Sequence, residues 1–416
     1  MKKLRILIVA LLAALTLMPF SATRAEAHGN AAKPVTFTLN AKVLDSGQQI
    51  VSLTINTSKL RIKASSLNTG TFGVHVKATN PTSSLASQFF SEYDVDRTVT
   101  GVHLDRHGRI VVELAHGFGV AGASTLGWAN DVGRNVVLDL AYTVTQKSPI
   151  MLRNGQAYTL PALTQGRVVD PEVDAYRSGQ AAGLNYRLFK PNGHGLRPLI
   201  VWLHGGGEGG WAEAQNNDLP LLANRGALGF STRKAQAIFG GAYVLAPQAT
   251  DYWLNDPAMG YSAKLKALID RVVARNHIDK KRIYVVGASN GGYMAPKLVV
   301  DNPKFFAAEV PIAPALIFNG TTMISDAQLA AIKTPTWVVQ SKDDPVLPFA
   351  VNGQHMADTI PNALLTAYDN VTWDGVTYNG HWSWIYVARN DPTTASGLHI
   401  WQWMARQHLK SVHHHG

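Results

Sequence analysis

Ile283-Tyr284-Val285-Val286-Gly287-Ala288-Ser289-Asn290-Gly291-Gly292-Tyr293-Met294-Ala295 is the stretch on which the reading of this chain turns. The apolar run Ile283 to Val286 predicts a strand. Gly287-Ala288-Ser289-Asn290-Gly291 reads G-x-S-x-G, a sharp turn, and Gly292 to Ala295 is suited to start a helix. A strand, a glycine turn and a helix form the setting in which a serine is presented at a strained elbow. The turn forces its central residue into an unfavourable backbone region, and glycines on either side let the flanking segments approach. Five residues with two free positions carry little information alone, so context and partners must decide.

Outward from the elbow, apolar runs recur. Leu199 to Leu203, Ala242 to Ala246 and Thr336 to Gln340 read as strands buried on both faces, with Ala307 to Ile312 a weaker one. Tyr186 to Phe189 reads as a strand before them, and a further strand is expected around Leu364 to Trp373. Helical stretches alternate with these. Tyr261 to Asn276 places Leu265, Leu268, Ile269, Val272 and Val273 at helical spacing. Alternating strands and helices predict an α/β fold, a mostly parallel sheet with helices on both faces.

The segment before it reads differently. Val35 to Leu39, Gln49 to Ile55, Gly73 to Lys77, Ile110 to Leu114 and Val136 to Tyr142 are short runs of period two, separated by turn residues. They predict an antiparallel β-sandwich. The expected division is a sandwich over residues 28–146, an α/β domain over 147–410 and a tail over 411–416. The sandwich shows no clustering of catalytic residue types.

A serine hydroxyl needs a base within hydrogen-bond reach, a carboxylate to orient that base, and backbone donors for a developing oxyanion. His381, in Asn379-Gly380-His381-Trp382, is the candidate base, in a glycine-flanked loop after the last expected strand. Asp344, in Lys342-Asp343-Asp344-Pro345-Val346-Leu347-Pro348, is the candidate acid, just after a strand. Asp343 is its rival, read as capping the turn. His204-Gly205-Gly206-Gly207-Glu208-Gly209-Gly210 directly follows the strand Leu199 to Leu203 and is the candidate oxyanion loop. A phosphate-cradling reading of that loop lacks the required lysine. Gly206 and the N–H of Asn290 are the candidate donors, with Gly207 in reserve, and His204 is read as shaping the loop. Glycine loop, serine, acid and histidine follow one another in the order that such sites require.

Composition narrows the classes. The 416 residues are 46% hydrophobic and 16% charged, which suits a folded chain with a sizeable core. Lys2, Lys3 and Arg5, the apolar run Ile6 to Met18 and Ala25-Glu26-Ala27 predict a cleaved export signal over residues 1–27. The run is too short for a comfortable membrane anchor, and no later segment is long and apolar enough to span. The expectation is therefore secretion, extracellular or periplasmic, without stable membrane insertion. The formal net charge is +10, but the basic residues are scattered, so nucleic-acid binding is disfavoured. There are no cysteines, which removes disulfides, thiol catalysis and thiolate metal sites. His413 to His415 read as a tail. No motif specifies an oligomeric state.

With these motifs in hand, the segment from about 185 to 410 resembles an α/β-hydrolase esterase. It is similar to polyester-depolymerase-like and prolyl-oligopeptidase-like serine hydrolases. The residues that carry the resemblance are His204 to Gly210, Gly287 to Gly291, Asp344 to Pro348 and Gly380-His381. With the sandwich included, the chain resembles esterases that carry an immunoglobulin-like N-terminal domain. The resemblance implies Ser289 as nucleophile, Asp344 as acid, His381 as base, an ester substrate that includes polymers, and no metal or organic cofactor. A peptidase or amidase with the same triad is the alternative. The sandwich is read either as a polymer- or surface-binding module or as a brace. Trp211, Trp253 and Trp382 follow strand ends and are candidate walls of the substrate site.

Overall fold

A computed structural model of the chain describes residues 33–81, 91–211 and 216–410. The expected export signal and the terminal tail lie outside these residues. From Pro34 onward the chain forms one compact unit. It contains an immunoglobulin-like antiparallel layer followed by an α/β core.

The N-terminal part stacks a five-stranded sheet on a three-stranded one. The first runs Leu163–Val169, Val35–Leu44, Gly47–Ile55, Ile110–Leu114, Val99–Leu104 across its width; the second runs Tyr93–Arg97, Phe72–Thr79, Asp139–Gln146. Period two does its work here. Phe37, Leu39 and Ala41 from the first sheet meet Phe72, Val74 and Val76 from the second in a shared core, with Ile110, Val112 and Leu114 beside them.

The sandwich does not stop at residue 146, where the sequence placed its end. Leu163–Val169 pairs in parallel with Val35–Leu44. That outer strand would otherwise leave a row of backbone groups unpaired, and the departing chain covers it. The helical turn Pro171–Asp174 follows, capped by the Asp170 carboxylate on the N–H groups of Glu172 and Val173. The single strand expected over Val136 to Tyr142 is also two. Arg134–Val137 belongs to a hairpin with Leu126–Ala129, and Asp139–Gln146 returns to the sandwich. Leu138 is where the chain changes sheets.

The second part is a mixed eight-stranded sheet. Its order is Tyr176–Ala181, Leu184–Phe189, Tyr243–Gln248, Arg197–Leu203, Ile278–Ala288, Ala308–Ile312, Trp337–Ser341, Leu364–Tyr368. The first two strands pair antiparallel, and the rest run parallel from Tyr243–Gln248 onward. The expected strand to Trp373 ends at Tyr368, and Thr372–Trp373 forms a small hairpin with Val376–Thr377. Helices cover both faces. Tyr261–Arg275 buries Leu265, Leu268, Ile269 and Val272 on one side of the sheet. On the other side Phe230, Phe239 and Trp401 pack over Ile200, Trp202 and Tyr284. Among the described residues, no helix is long and apolar enough to cross a membrane.

The two parts are bolted together. Val43 leaves the sandwich core and packs into the α/β core with Ile200 and Trp202. Arg225 donates to both oxygens of Glu172 at 2.8 Å and to the carbonyl of Val43 at 2.7 Å. Arg389 donates to Asp45, in the turn between the first two strands, at 2.7 and 3.1 Å.

Candidate active site

The strand Ile278–Ala288 ends against Ser289, and the helix Asn290–Asp301 begins at the next residue. Ser289 sits at φ 56° and ψ −112°, a sparsely populated region for a residue with a Cβ. The neighbours hold it there. Ser289 N–H donates to the carbonyl of Ile312 at 2.8 Å, and its own carbonyl accepts from Tyr293 and Ala315. The glycines are required by contact. A Cβ on Gly287 would lie 2.0 Å from the Gly291 carbonyl oxygen, and one on Gly292 would lie 2.7 Å from the Ile312 carbonyl oxygen.

His381 and Asp344 converge on this serine. Nε2 of His381 lies 2.9 Å from Ser289 Oγ, and its Nδ1 lies 2.8 Å from Asp344 Oδ2. Asp344 accepts at every available position. Gln340 Nε2 donates to Oδ2 at 3.0 Å, and the N–H groups of Val346 and Leu347 donate to Oδ1 at 2.9 Å each. Burial pushes the Asp344 carboxyl up, but the hydrogen bond and charge of His381 and the N–H groups of Leu347 and Val346 outweigh it and hold the group below the usual carboxylate range. An ionised Asp344 makes Nδ1 the protonated nitrogen, which leaves Nε2 to accept the serine proton. The rival Asp343 is exposed and turned to the hydroxyl of Ser341.

Opposite the serine runs the glycine loop, with Gly206–Glu208 in a single 3-10 turn. His204 fixes its entry. The ring is fully buried, its Nε2 accepts from Ala249 N–H at 3.0 Å, and its Nδ1 donates to the Gly205 carbonyl at 2.6 Å. Burial lowers its pKa to about 4, so it is neutral and keeps this tautomer. Gly206 and Asn290 both line the cavity beside Ser289. The Asn290 N–H lies in the first helical turn, where donors have no intrahelical acceptor and the helix dipole favours negative charge. The Asn290 side-chain oxygen accepts from Leu254 N–H at 2.9 Å, which ties the helix start to the neighbouring loop.

A cavity of about 900 Å³ opens above these groups, and both parts of the chain line it. Trp382, Trp384, Tyr252, Leu254 and Phe318 come from the α/β part; Trp128, Asn135 and Ser124 come from the N-terminal part. Of the three tryptophans named from sequence, only Trp382 is a wall residue. Trp253 is completely buried, packed against His204 and Tyr261 with ring centroids 4.9 and 5.3 Å away. Trp211 lies against Ala129, Val132 and Val136 of the N-terminal hairpin and is absent from the cavity lining.

The sequence marked Val136 and Val137 of that hairpin only as part of a longer strand, yet the hairpin is central in space. Arg134 donates to the Gly210 carbonyl at 3.2 Å, pairs with Asp251 at 2.6 Å and stacks 3.6 Å over the Tyr252 ring. Asn135 Nδ2 donates to Glu208 at 3.0 Å. The Tyr252 hydroxyl donates to the Val132 carbonyl at 2.9 Å. No sequence signal marked these residues, because each is an ordinary strand or turn residue until the fold brings it to the loop.

Comparison with known proteins agrees with this architecture. Residues 37–159 match the esterase immunoglobulin-like N-terminal domain, and residues 263–344 match the prolyl oligopeptidase family. This chain has an α/β-hydrolase fold with an immunoglobulin-like N-terminal domain, related to the esterase and S9-peptidase families. The crystal structure of a thermostable esterase superposes with a TM-score of 0.73 at 23% identity, covering 89% of this chain and 99% of that one. NocK of Nocardia uniformis subsp. tsuyamanensis, named as an esterase, is 30% identical over 29% of this chain and 33% of its own length. The uncharacterized peptidase YuxL of Bacillus subtilis (strain 168) is 28% identical over 37% of this chain and 24% of its own. The matches thus span a third or less of these two curated relatives.

Proposed function

We propose that this chain is a serine carboxylic-ester hydrolase, with Ser289 as nucleophile, His381 as base and Asp344 as its orienting acid. The observation that carries the reading is the unbroken relay from Ser289 Oγ to His381 Nε2, and from His381 Nδ1 to Asp344 Oδ2, at 2.9 and 2.8 Å. Ser289 Oγ attacks the ester carbonyl while His381 Nε2 takes its proton. The Gly206 and Asn290 N–H groups receive the oxyanion, and ionised Asp344 stabilises the imidazolium. Collapse of the tetrahedral species breaks the ester C–O bond. His381 returns the proton to the leaving alcohol. Water, deprotonated by the same nitrogen, then attacks the acyl-enzyme, and the carboxylic acid leaves as Ser289 regains its proton.

The substrate proposed is an exported enzyme's substrate, a bulky apolar ester that includes insoluble polyester. The leader-like residues 1–27 support export. The cavity mouth supports the rest. Trp128, Phe318 and Val346 line it while remaining 38%, 40% and 54% exposed. Phe118, half exposed, packs tilted against Tyr378 and edge-on to Trp382. Exposed apolar groups gathered at one site mark a binding surface.

A second reading, amide hydrolysis by the same triad, is favoured by the match of residues 263–344 to the prolyl oligopeptidase family. Purified protein assayed on matched p-nitrophenyl esters and p-nitroanilides decides between them. Ester turnover that vanishes in Ser289→Ala supports the proposal; faster anilide turnover overturns it in favour of a peptidase. Release of soluble acid from a solid polyester film tests the polymer substrate separately.

A further inference from the structure

Glu208 lies in the loop that carries the oxyanion donors, yet no step of the chemistry above uses it. It is a buried residue on the cavity wall. Its Oε2 lies against the backbone of Gly205. Its Oε1 accepts from Asn135 Nδ2 at 3.0 Å, and Asn135 belongs to the N-terminal hairpin. Groups from both parts of the chain therefore meet at one buried carboxylate. The arrangement sits against the nucleophile. A Cβ placed on Gly205 would lie 3.2 Å from Glu208 Oε2 and 3.8 Å from Ser289 Cβ.

Two consequences follow from the geometry. A carboxylate beside Gly205 disfavours an oxyanion at that residue's N–H, which leaves the next N–H groups, Gly206 and Gly207, for that role. Secondly, the loop is held from both ends. His204 fixes the Gly205 carbonyl, and Glu208 packs against the Gly205 backbone. A Cβ on Gly207 would lie 2.8 Å from Asn135 Nδ2 and 3.0 Å from the Trp128 ring, so the hairpin also presses on the turn directly. Preorganised donors are effective because they need not reorganise as charge develops.

We propose that Glu208 is a positioning residue, whose carboxylate clamps Gly205 to Asn135 and so sets the direction of the Gly206 N–H toward Ser289. Through this clamp the N-terminal hairpin takes part in setting the oxyanion site. The inference rests on the serine-hydrolase reading. Burial pushes the Glu208 carboxyl up to about 7 despite its donors. The clamp tolerates both protonation states, since a carboxylic acid still accepts at one oxygen and can donate to the Asn135 amide oxygen after that amide turns.

The test uses the full chain and steady-state kinetics on a soluble p-nitrophenyl ester. Glu208→Ala is expected to lower kcat about 10- to 100-fold with KM within about twofold, the size expected when reacting groups are misplaced by about an ångström. Glu208→Gln is expected to recover most of that loss, because it keeps the size of the side chain against Gly205 and its oxygen still accepts from Asn135. Asn135→Ala is expected to lower kcat about three- to tenfold. A structural role alone would lower the melting temperature and leave kcat intact well below it. The proposal is overturned if Glu208→Ala stays within threefold of the wild-type kcat, or if Glu208→Gln recovers nothing. Where Glu208→Ala does not fold, a folded Asn135→Ala with unchanged kcat overturns it. Labelling of Ser289 by a fluorophosphonate separates the two readings. An unlabelled and inactive wild type removes the serine-hydrolase reading; a labelled, active wild type with an indifferent Glu208 removes only the clamp.

Discussion

Gly291 lies so close to Leu203 that a Cβ on it would stand 2.1 Å from the Leu203 carbonyl oxygen and 2.6 Å from that of His204. The turn that bears Ser289 and the strand that leads into the glycine loop are thus in backbone contact. The contact brings the two halves of the site within reach of one oxygen atom. Gly291→Ala must push these backbones apart, and no flexible side chain is available to yield. The expected cost is about 3 kcal/mol or more, with loss of ester turnover. Thermal unfolding of the purified variant beside Ser289→Ala checks it, since the latter should melt close to the wild type.

Ser289 itself predicts the opposite effect. At φ 56° and ψ −112° its Cβ is strained, and glycine relieves that strain. Ser289→Gly removes the hydroxyl and the hydrogen bond to His381 Nε2, so activity should disappear. Stability should nevertheless rise, by up to about 1 kcal/mol, relative to Ser289→Ala. Denaturant midpoints of the two variants give the comparison. A glycine variant less stable than the alanine variant would show that the elbow is not strained.

Asp344→Asn tests the tautomer argument. The asparagine retains the size of the side chain and can keep the two backbone donors on its oxygen. Its amide nitrogen would then face His381 Nδ1 and favour the tautomer with Nε2–H, which cannot accept the serine proton. A fall in kcat of about 10⁴-fold is expected, with KM little changed. Asp343→Asn, altering the exposed neighbour, should leave kcat within about threefold. Equal losses in the two variants would reject the assignment of the acid.

What could be read from the sequence was whatever a short stretch encodes by itself. Leu199 to Leu203 and Ile283 to Val286 announced buried strands because both faces are covered and every position is apolar. The helix Tyr261–Arg275 followed from spacing. The glycines around Ser289 encode the elbow because contacts within that turn exclude side chains. Long-range pairings left no such mark. Leu163–Val169 joins the sandwich only because the strand Val35–Leu44 offers it an edge. Asn135 and Trp128 reach the cavity because a hairpin folds over the glycine loop. Trp253 resembled a wall residue by its place after a strand, but the fold turns it under His204 instead.

Glu309 gives a prediction that depends on pH. It occupies the buried strand Ala308–Ile312, fully enclosed, with one carboxyl oxygen 2.8 Å from Thr336 Oγ1 and the other without a partner. Burial raises its pKa to about 8, against an ordinary 4.5. Between these values the folded chain holds a proton that the unfolded chain has lost. Stability from this residue is therefore complete below about pH 4.5 and is lost as pH rises through 8. The slope is at most about 1.4 kcal/mol per pH unit. Glu309→Gln cannot ionise, so its stability should lack this decline. Burying an amide whose N–H donors are unmet costs about 1–3 kcal/mol for each donor, but that cost does not vary with pH. The measurement is thus the difference in unfolding free energy between variant and wild type, followed from pH 5 to pH 9. It should move steadily in favour of Glu309→Gln and level off above pH 8. A difference that stays constant over that range would mean that Glu309 is ionised, and paired, within the fold.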